Sequence, residues 1–346
     1  MGAIKGKRLS EQIKLQMITL IDTSRNRGLP IARTCSLMII SYRRVMRWKR
    51  NLRLGLSLAD EKPGPKHALH RLLPEEIERV KEMAGEEIHA DLSHRILAVS
   101  AWEKGLFYVS FSSVYRILKS ANLMGMRGPA RAHNGRSKAP DRKELTGPNQ
   151  RWCWDVSYLP TLVKGVYLYL YLLLDEFSRK AVQWRVSWRQ TAHEGLLLIE
   201  GALGDENILD LPESQRPGIV SDRGRQMKAK SIQRLCEIHQ MPQMFARPRT
   251  PNDNPFVESF FSTTKRAPEY PGYFVDDENA ILYMDKYIDW YNNEHYHSAI
   301  DYVTPQQAHQ GLREDIVERR NREKQIQRQK RRQSNQQIIN HQITKT

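Results

Sequence analysis

Three consecutive runs rich in leucine, β-branched and aromatic residues constrain the fold of this 346-residue chain more than any other feature. The runs follow directly after Arg151 and read WCWDVSYLP, VYLYLYLLLDEFS and KAVQWRVS. Short turn sequences at Lys164-Gly165 and Ser178-Arg179 separate them. Such runs are typical of β-strands, and short connections join antiparallel neighbours. The sequence therefore predicts an antiparallel meander that begins near residue 151.

Helix-like and strand-like segments alternate after the meander. The helix TAHEGLLLIEGALG precedes a short strand GIVSD, and the helix MKAKSIQRLCEIHQ precedes a strand MFARP. Two further helices, NPFVESFFSTTKR and DENAILYMDKYIDWYNNEH, follow. Three antiparallel strands followed by this alternation predict a mixed five-stranded α/β sheet covered by helices.

Residues 9–52 have a different pattern, which predicts three short helices. In the third helix, which follows Ser41, Val45 and Trp48 can face a core. Four arginines then point outward: Arg43, Arg44, Arg47 and Arg50. This is the pattern of a helix-turn-helix unit, whose last helix enters the major groove of DNA. A plain three-helix bundle with a solvated basic face is the alternative.

A second helical unit is predicted after a Pro- and Gly-containing linker. Pro74 begins one helix, Asp91 or Ser93 precedes another, and Ser110 precedes a third with the sequence FSSVYRILKSA. In that third helix Val114, Ile117 and Leu118 form an apolar stripe, and four polar residues point away from it: Ser112, Ser113, Arg116 and Lys119. The unit therefore contains a second candidate recognition helix.

The positive charge of the chain is concentrated in its N-terminal part. The formal net charge is +16, and residues 1–150 hold 28 Lys/Arg against 14 Asp/Glu, whereas residues 151–346 hold 27 against 25. A basic module joined to a nearly neutral one suggests one domain that binds a polyanion and a second domain with a different function. A basic surface that serves only solubility is the alternative reading.

Cysteine content and hydropathy exclude other protein classes. Cys35, Cys153 and Cys236 are far apart and lack the spacing of a zinc site or a disulfide framework, so we expect them to be core residues. No apolar run reaches the roughly 18 residues that a membrane span requires. We expect a soluble protein that stays inside the cell and does not associate with membranes.

Three acidic residues stand out by their positions. Asp155 lies within the first predicted strand, Asp222 follows the strand GIVS, and Glu258 lies on the first turns of a helix. Two neighbouring strands and a helix packed on them can bring such carboxylates together. Three carboxylates suit two-metal phosphoryl transfer, because Mg²⁺ prefers oxygen ligands and the substrate phosphate supplies further ones.

Spacing alone is weak evidence, since 39 acids in 346 residues produce many pairs at any separation. The helix of Glu258 adds a stronger signal. Ser262 and Lys265 follow Glu258 at helical spacing, while Val257, Phe260 and Phe261 lie on the opposite face. A purely structural helix would not need this polar stripe beside a sheet.

Five motifs together resemble the catalytic domain of the DDE transposases of IS3-type insertion sequences, relatives of retroviral integrases. They are WDVSYLPT, DEFSRKAVQW, SDRGRQM, RPRTPNDNPFVESFFSTTKR and YNNEHYHSAIDYVTP. They occur in the family's order over residues 148–310, and 35 residues separate Asp222 from Glu258, as in the family's DD(35)E signature.

The resemblance implies an RNase H-like catalytic domain that follows all-α helix-turn-helix units. It implies two Mg²⁺ ions held by Asp155, Asp222 and Glu258, with Mn²⁺ as a substitute, and Lys265 as the family's basic residue seven positions after the Glu. It also implies that the chain binds the terminal inverted repeats and target sites of double-stranded DNA, cleaves and joins strands, and acts as at least a dimer. It further implies a protein of the bacterial cytoplasm that associates with the nucleoid.

Three residues depart from the family pattern. Arg223 and Arg225 stand beside Asp222 where the family usually has Asn and a small polar residue, and His295 stands where it often has Arg. Two alternatives therefore stay open. One is a sequence-specific DNA-binding regulator with altered catalysis, and the other is a ribonuclease of the RNase H type.

The predicted domain organisation has six parts. They are a helix-turn-helix domain at 1–56, a linker at 57–72, a second helix-turn-helix-like domain at 73–123, a basic linker at 124–147, the catalytic domain at 148–312 and a flexible basic tail at 313–346. The tail is predicted to be flexible because it is too polar to pack by itself.

Overall fold

The computed structural model of the chain describes residues 8–60, 68–124, 144–246 and 254–343. These residues belong to two compact units, Met1–Ala68 and Leu69–Thr346. The predicted linkers 57–72 and 124–147 lie partly outside the described residues, at 61–67 and 125–143. No helix in the described ranges is long and apolar enough to cross a membrane.

The first unit contains three helices: α1 (Glu11–Asn26), α2 (Ile31–Leu37) and α3 (Tyr42–Arg53). The Ser10 hydroxyl accepts the Ile13 amide and caps α1. Val45 and Trp48 are buried together with Cys35, as their spacing predicts. The three helices surround one small apolar core.

The second unit begins with three more helices: α4 (Pro74–Gly85), α5 (His94–Glu103) and α6 (Phe111–Ser120). Ser93 and Ser110 cap α5 and α6 by accepting the amides of Ile96 and Ser113. The predicted stripe of Val114, Ile117 and Leu118 is buried in the core of these helices. We call α4, α5 and α6 the helical subunit of the second unit.

A mixed five-stranded sheet follows, as predicted. Its strands are β1 (Arg151–Pro160), β2 (Tyr167–Asp175), β3 (Ala181–Ser187), β4 (Gly218–Ser221) and β5 (Gln243–Phe245), in the order β3-β2-β1-β4-β5. The first three strands form the antiparallel meander, and β4 and β5 run parallel to β1. The sheet therefore changes from antiparallel to parallel pairing at β1.

Helices cover both faces of the sheet. The helices α7 (Ala192–Asp205) and α8 (Lys230–Ile238) share a core with Tyr171 and Leu173. The helices α9 (Pro255–Thr264) and α10 (Asp277–Asn293) share another core with Leu170 and Leu172. Successive β2 residues thus point to opposite layers, as strand geometry requires. Each fully buried leucine contributes about 1.5–3 kcal/mol.

The hairpin between β2 and β3 is fixed by buried acids. The Asp175 carboxylate accepts the amides of Asn149, Phe177 and Ser178 at 2.7–3.1 Å. Glu176 forms an ion pair with Arg151 at 3.2 Å. These two acids therefore stabilise the turn and the adjacent end of β1.

Glu206 links the hairpin to a later helix, α11 (Pro305–His309). Its carboxylate contacts Lys180 Nζ at 2.6 Å, His309 Nε2 at 2.7 Å and Asn149 Nδ2 at 3.0 Å. Burial raises the pKa of Glu206, but these three hydrogen bonds outweigh burial and lower it to about 2. The ionised carboxylate is therefore part of the folded structure.

We expect Glu206 to make the stability of this unit sensitive to acid. Its folded pKa is depressed, so its contribution is complete above about pH 4.5 and is lost as the pH falls towards 2. Glu206→Gln should lower the free energy of unfolding at pH 7 by about 3 kcal/mol, and the difference from wild type should shrink below pH 4.5. Urea denaturation at several pH values measures both effects. The exposed Glu200→Gln on α7 is the control, and equal behaviour of the two variants would contradict the role of Glu206.

The segment after residue 312 forms a long helix, α12 (Arg313–Ile343), so the prediction of a flexible tail is wrong. Its cations pair with acids of the helical subunit. Arg320 and Arg331 are buried and contact Glu103 at 2.6 Å and Glu76 at 2.7 Å. The sequence suggested flexibility because the segment is too polar to pack by itself. The structure instead docks it through ion pairs with distant residues.

Candidate active site

Asp155 and Asp222 lie level with each other on neighbouring strands. Strands β1 and β4 are parallel, and Cys153 pairs with Val220. Two residues further along each strand stand Asp155 and Asp222, the latter directly after β4 ends. The same register therefore sets the two aspartates side by side at the sheet centre.

Both aspartates belong to the sheet face that α9 and α10 cover. Cys153 and Val220 share the core with these helices, whereas Trp152, Trp154 and Ile219 face α7 and α8. Because side chains alternate along a strand, Asp155 and Asp222 take the orientation of Cys153 and Val220. Strand geometry thus directs both aspartates towards the side of the sheet on which α9 lies.

Helix α9 brings Glu258 to the same place. The buried side chain of Asn254, directly before α9, donates from Nδ2 to the Trp154 carbonyl at 3.3 Å, next to Asp155. Glu258 lies one turn into the helix and is exposed, whereas Val257, Phe260 and Phe261 are buried beneath it. Asn254 therefore anchors the N-terminal end of α9 to β1 beside the first aspartate.

The electrostatics of Asp155 reflect this convergence. Burial is the main cause that raises its pKa, and the carboxylates of Asp222 and Glu258 raise it further. The Val156 amide, which donates to Asp155 Oδ1 at 2.8 Å, opposes them. The result is a pKa of about 7. Burial also raises the pKa of Glu258.

The carboxylates lie within electrostatic reach, but they are not drawn together into a ligand shell. Within the described ranges, no three His, Cys, Asp or Glu side chains are close enough to share a metal ion. The donor set still suits Mg²⁺, because it consists of hard oxygen atoms whose mutual repulsion a cation would relieve. The residues that would hold the ions are Asp155, Asp222 and Glu258.

The loop after Asp222 accounts for the unusual Arg223. Asp222 Oδ1 accepts the Gly224 amide at 2.7 Å, which closes a tight turn. Arg223 Nε donates to the Ala246 carbonyl at 3.0 Å and so ties this turn to the end of β5. Arg225 is exposed. The guanidinium of Arg223 is therefore engaged with the backbone beside β5.

Lys265 lies at the C-terminal cap of α9 and is exposed. It stands two turns from Glu258 on the same side of the helix, about 10 Å along the axis. Partial burial lowers the pKa of its ammonium group. Residues 247–253, which begin the motif RPRTPNDNPFVESFFSTTKR, lie outside the described residues.

His295, another departure from the family pattern, packs against aromatic rings. Its ring stacks on Tyr291 with centroids 5.4 Å apart and lies 5.1 Å from Trp290. Burial lowers the pKa of His295 to about 4, so the ring is neutral near pH 7. His295 therefore occupies a packing position at the end of α10.

The predicted recognition residues of α3 divide into two groups. Arg43, Arg47 and Arg50 are exposed on the side opposite Val45 and Trp48. Arg44 is partly buried, and its guanidinium lies 5.1 Å from the centre of the Trp48 ring. Three of the four arginines are thus displayed to solvent, whereas Arg44 packs on the core.

Two of the four predicted residues of α6 line a groove, and the other two do not. Ser113 and Arg116 line a groove between α6 and α12, and Arg116 Nη2 donates to the Ser113 hydroxyl at 3.0 Å. Lys119 contacts the exposed Tyr115 ring from 5.8 Å, and Ser112 is also exposed. Arg116 is exposed as well, whereas Ser113 is partly buried.

Sequence reasoning missed Asn254 as a positioning residue. The signal was present, because an asparagine before a proline that begins a helix is typical of a helix N-cap. What the sequence did not contain is the partner, since the Trp154 carbonyl is 100 residues away.

Comparison with known proteins places these features in a family. A model described as "Integrase core domain" matches residues 146–251, and a second model with the same description matches residues 239–305. The chain is 30% identical over 205 residues to the "Transposase for insertion sequence element IS904" of Lactococcus lactis subsp. lactis (strain IL1403), covering 55% of this chain and 78% of that one.

Other similarities cover less of the chain or have a lower sequence identity. The "Transposase InsF for insertion sequence IS3A" of Escherichia coli (strain K12) is 30% identical over 166 residues, 47% of this chain and 54% of the relative. A solved structure of the HTLV-2 integrase catalytic core domain in complex with magnesium has 17% sequence identity and a TM-score of 0.35, and the match covers 47% of this chain and 97% of that one.

Proposed function

Because the chain belongs to the IS3-type DDE transposases, we propose that it binds the terminal inverted repeats of its element and catalyses Mg²⁺-dependent DNA cleavage and strand transfer. The observation that carries this proposal is the placement of Asp155 and Asp222 at matching positions of the neighbouring strands β1 and β4, with Glu258 on the helix that Asn254 ties to β1. The effect of two of these carboxylates on the pKa of the third supports a single site.

In this proposal, water attacks a terminal phosphodiester of the element. The released 3′-hydroxyl then attacks a second phosphodiester, forms a new P–O bond and displaces the 3′-oxygen of the attacked strand as a hydroxyl. Two bound Mg²⁺ ions, or Mn²⁺ in their place, would supply Lewis-acid stabilisation of the charge on the attacking and leaving oxygens.

The residues of the chain have distinct roles in the proposal. Asp155 and Asp222 would hold the metal ions from β1 and the end of β4, and Glu258 would complete the site from α9. Asn254 positions α9 against β1, which fixes the distance between Glu258 and Asp155. Lys265 would contact DNA near the scissile phosphate. Synapsis of two element ends requires two copies of the chain, so we propose at least a dimer on DNA.

Cleavage of DNA that carries the element's own ends tests the proposal. The inverted repeats are found by inspection of the DNA that flanks the gene. We expect wild-type protein to cut at the repeat boundary with Mg²⁺, and EDTA to abolish cutting. Asp222→Asn should be inactive, whereas the exposed Asp210→Asn should behave as wild type.

Other outcomes would favour the alternatives. Tight binding to the repeats without cleavage by the wild type would favour a DNA-binding regulator. Cleavage of an RNA–DNA hybrid in preference to duplex ends would favour a ribonuclease. Undiminished cutting by Asp222→Asn would contradict the assigned role of this residue.

A further inference from the structure

Helix α12 carries a dense group of cations that the proposed chemistry does not use. From residue 324 to residue 332 the sequence reads KQIQRQKRR, five cations in nine residues, and no acid follows up to residue 346. Side chains of this stretch contact the helical subunit. Arg331 forms hydrogen bonds with Glu76, and Lys324 Nζ lies 3.6 Å from the centre of the Trp102 ring. This cationic stretch is therefore docked on the helical subunit.

A groove of about 870 Å³ runs between α6 and α12. Its apolar floor includes Trp102, Phe111 and Ile117, and Arg116 on one side stands across from Lys324 and Arg328 on the other. Hydroxyls of Ser110, Ser113 and Ser120 also line it. Among the described side chains along this groove, none is acidic.

Two acids beside the groove, Glu76 and Glu103, are paired with arginines of α12. Glu76 accepts two hydrogen bonds from Arg331 and one from Gln327. Glu103 accepts bonds from Arg319 and Arg320 at 2.5 and 2.6 Å. Glu323 also acts on Tyr108 in the groove lining, but Arg71, Arg116, Lys324 and Arg328 line the same groove. The groove therefore keeps a net positive charge, which complements a polyanion.

We propose that the groove between α6 and α12 binds one phosphodiester strand of duplex DNA, so that α12 is part of the DNA interface. Arginine, lysine and serine side chains are the usual partners of DNA phosphates. This inference rests on the proposed function only in that DNA is the ligand.

The arrangement suits the position of α6. If this helix enters the major groove, the strand that borders that groove passes beside the helix. Ser113 and Arg116 line the side of α6 that faces α12, and Arg328 stands on the other wall. In this arrangement the DNA strand lies between α6 and α12 and contacts both helices.

The test is the binding of a short fluorescent duplex to the full-length chain, measured by anisotropy at several salt concentrations without Mg²⁺. We expect Arg328→Ala to weaken binding by about 5- to 10-fold at moderate salt and to reduce the salt slope by about 1. Arg328→Lys, which keeps the charge, should retain most of the affinity. Lys330→Ala is the matched control, because Lys330 is exposed on the same helix and does not line the groove.

The outcomes separate this inference from the proposed function. Equal affinity and salt slope of Arg328→Ala and Lys330→Ala would overturn the inference even where the wild type cuts DNA. Loss of binding by Arg328→Ala alone supports the inference even where no cleavage is found. A wild-type chain that binds no duplex at all would overturn it as well.

Discussion

Asp155→Asn is expected to reduce Mg²⁺-dependent cleavage of element-end DNA by at least about 100-fold, because loss of even an outer partner of a metal ligand costs 10- to 100-fold. Asparagine has nearly the same shape as aspartate and can still accept the Val156 amide through its oxygen. The change therefore removes the charge and leaves the backbone contact. Single-turnover cleavage rates measure the loss.

The same variant should not lose stability in EDTA. Burial and the neighbouring carboxylates of Asp222 and Glu258 disfavour the ionised form of Asp155 in the folded chain. Removal of the charge relieves both costs, so the thermal unfolding midpoint should equal or exceed that of the wild type. A variant that is inactive and also unfolds at a lower temperature would indicate a structural role instead. Asp210→Asn is the control for activity and stability.

Disruption of the ion pair between Glu76 and Arg331 is expected to cost about 3–5 kcal/mol, the effect of leaving one buried charge without its partner. Both side chains are buried, and two bonds of 2.7 Å join Arg331 Nε and Nη2 to the carboxylate. Glu76 also accepts the Leu73 amide at the start of α4. Arg331→Ala should therefore release the second half of α12 from the helical subunit.

Hydrogen exchange of α12 and urea denaturation measure this effect. Amides of α12 should exchange faster in Arg331→Ala, whereas the exposed neighbour Arg332→Ala should match the wild type. Combining Arg331→Ala with Glu76→Ala should cost less than the sum of the single changes, because the double variant leaves no charge unpaired. Strict additivity of the two changes would contradict a direct pair.

The sheet and the positions of its acidic residues could be predicted from the sequence, because the patterns that indicate them lie within single strands and helices. The alternation of side chains in β1 and β2 is set by strand geometry, and the apolar face of α9 is visible from the spacing of Val257, Phe260 and Phe261. The position of the three acids follows from these elements and from the family motifs. Their roles as metal ligands stay a prediction.

The parts that the sequence did not reveal depend on contacts between distant residues. Nothing near Arg331 indicates Glu76, because the two are 255 residues apart. A polar segment without an apolar stripe therefore suggested a flexible tail, although paired charges dock it as a helix. Arg223 is a similar case, since its bond to the Ala246 carbonyl depends on the neighbouring strand β5.

The most direct test of the central claim is the location of Mn²⁺ ions by anomalous diffraction from crystals of the chain with cleaved end DNA. If the three acids are metal ligands, we expect ions bound by Asp155, Asp222 and Glu258, with carboxylate oxygens about 2.0–2.2 Å from the metal. Glu258→Gln should lower the occupancy of one ion. Ions at the scissile phosphate that contact none of these three residues would contradict the claim.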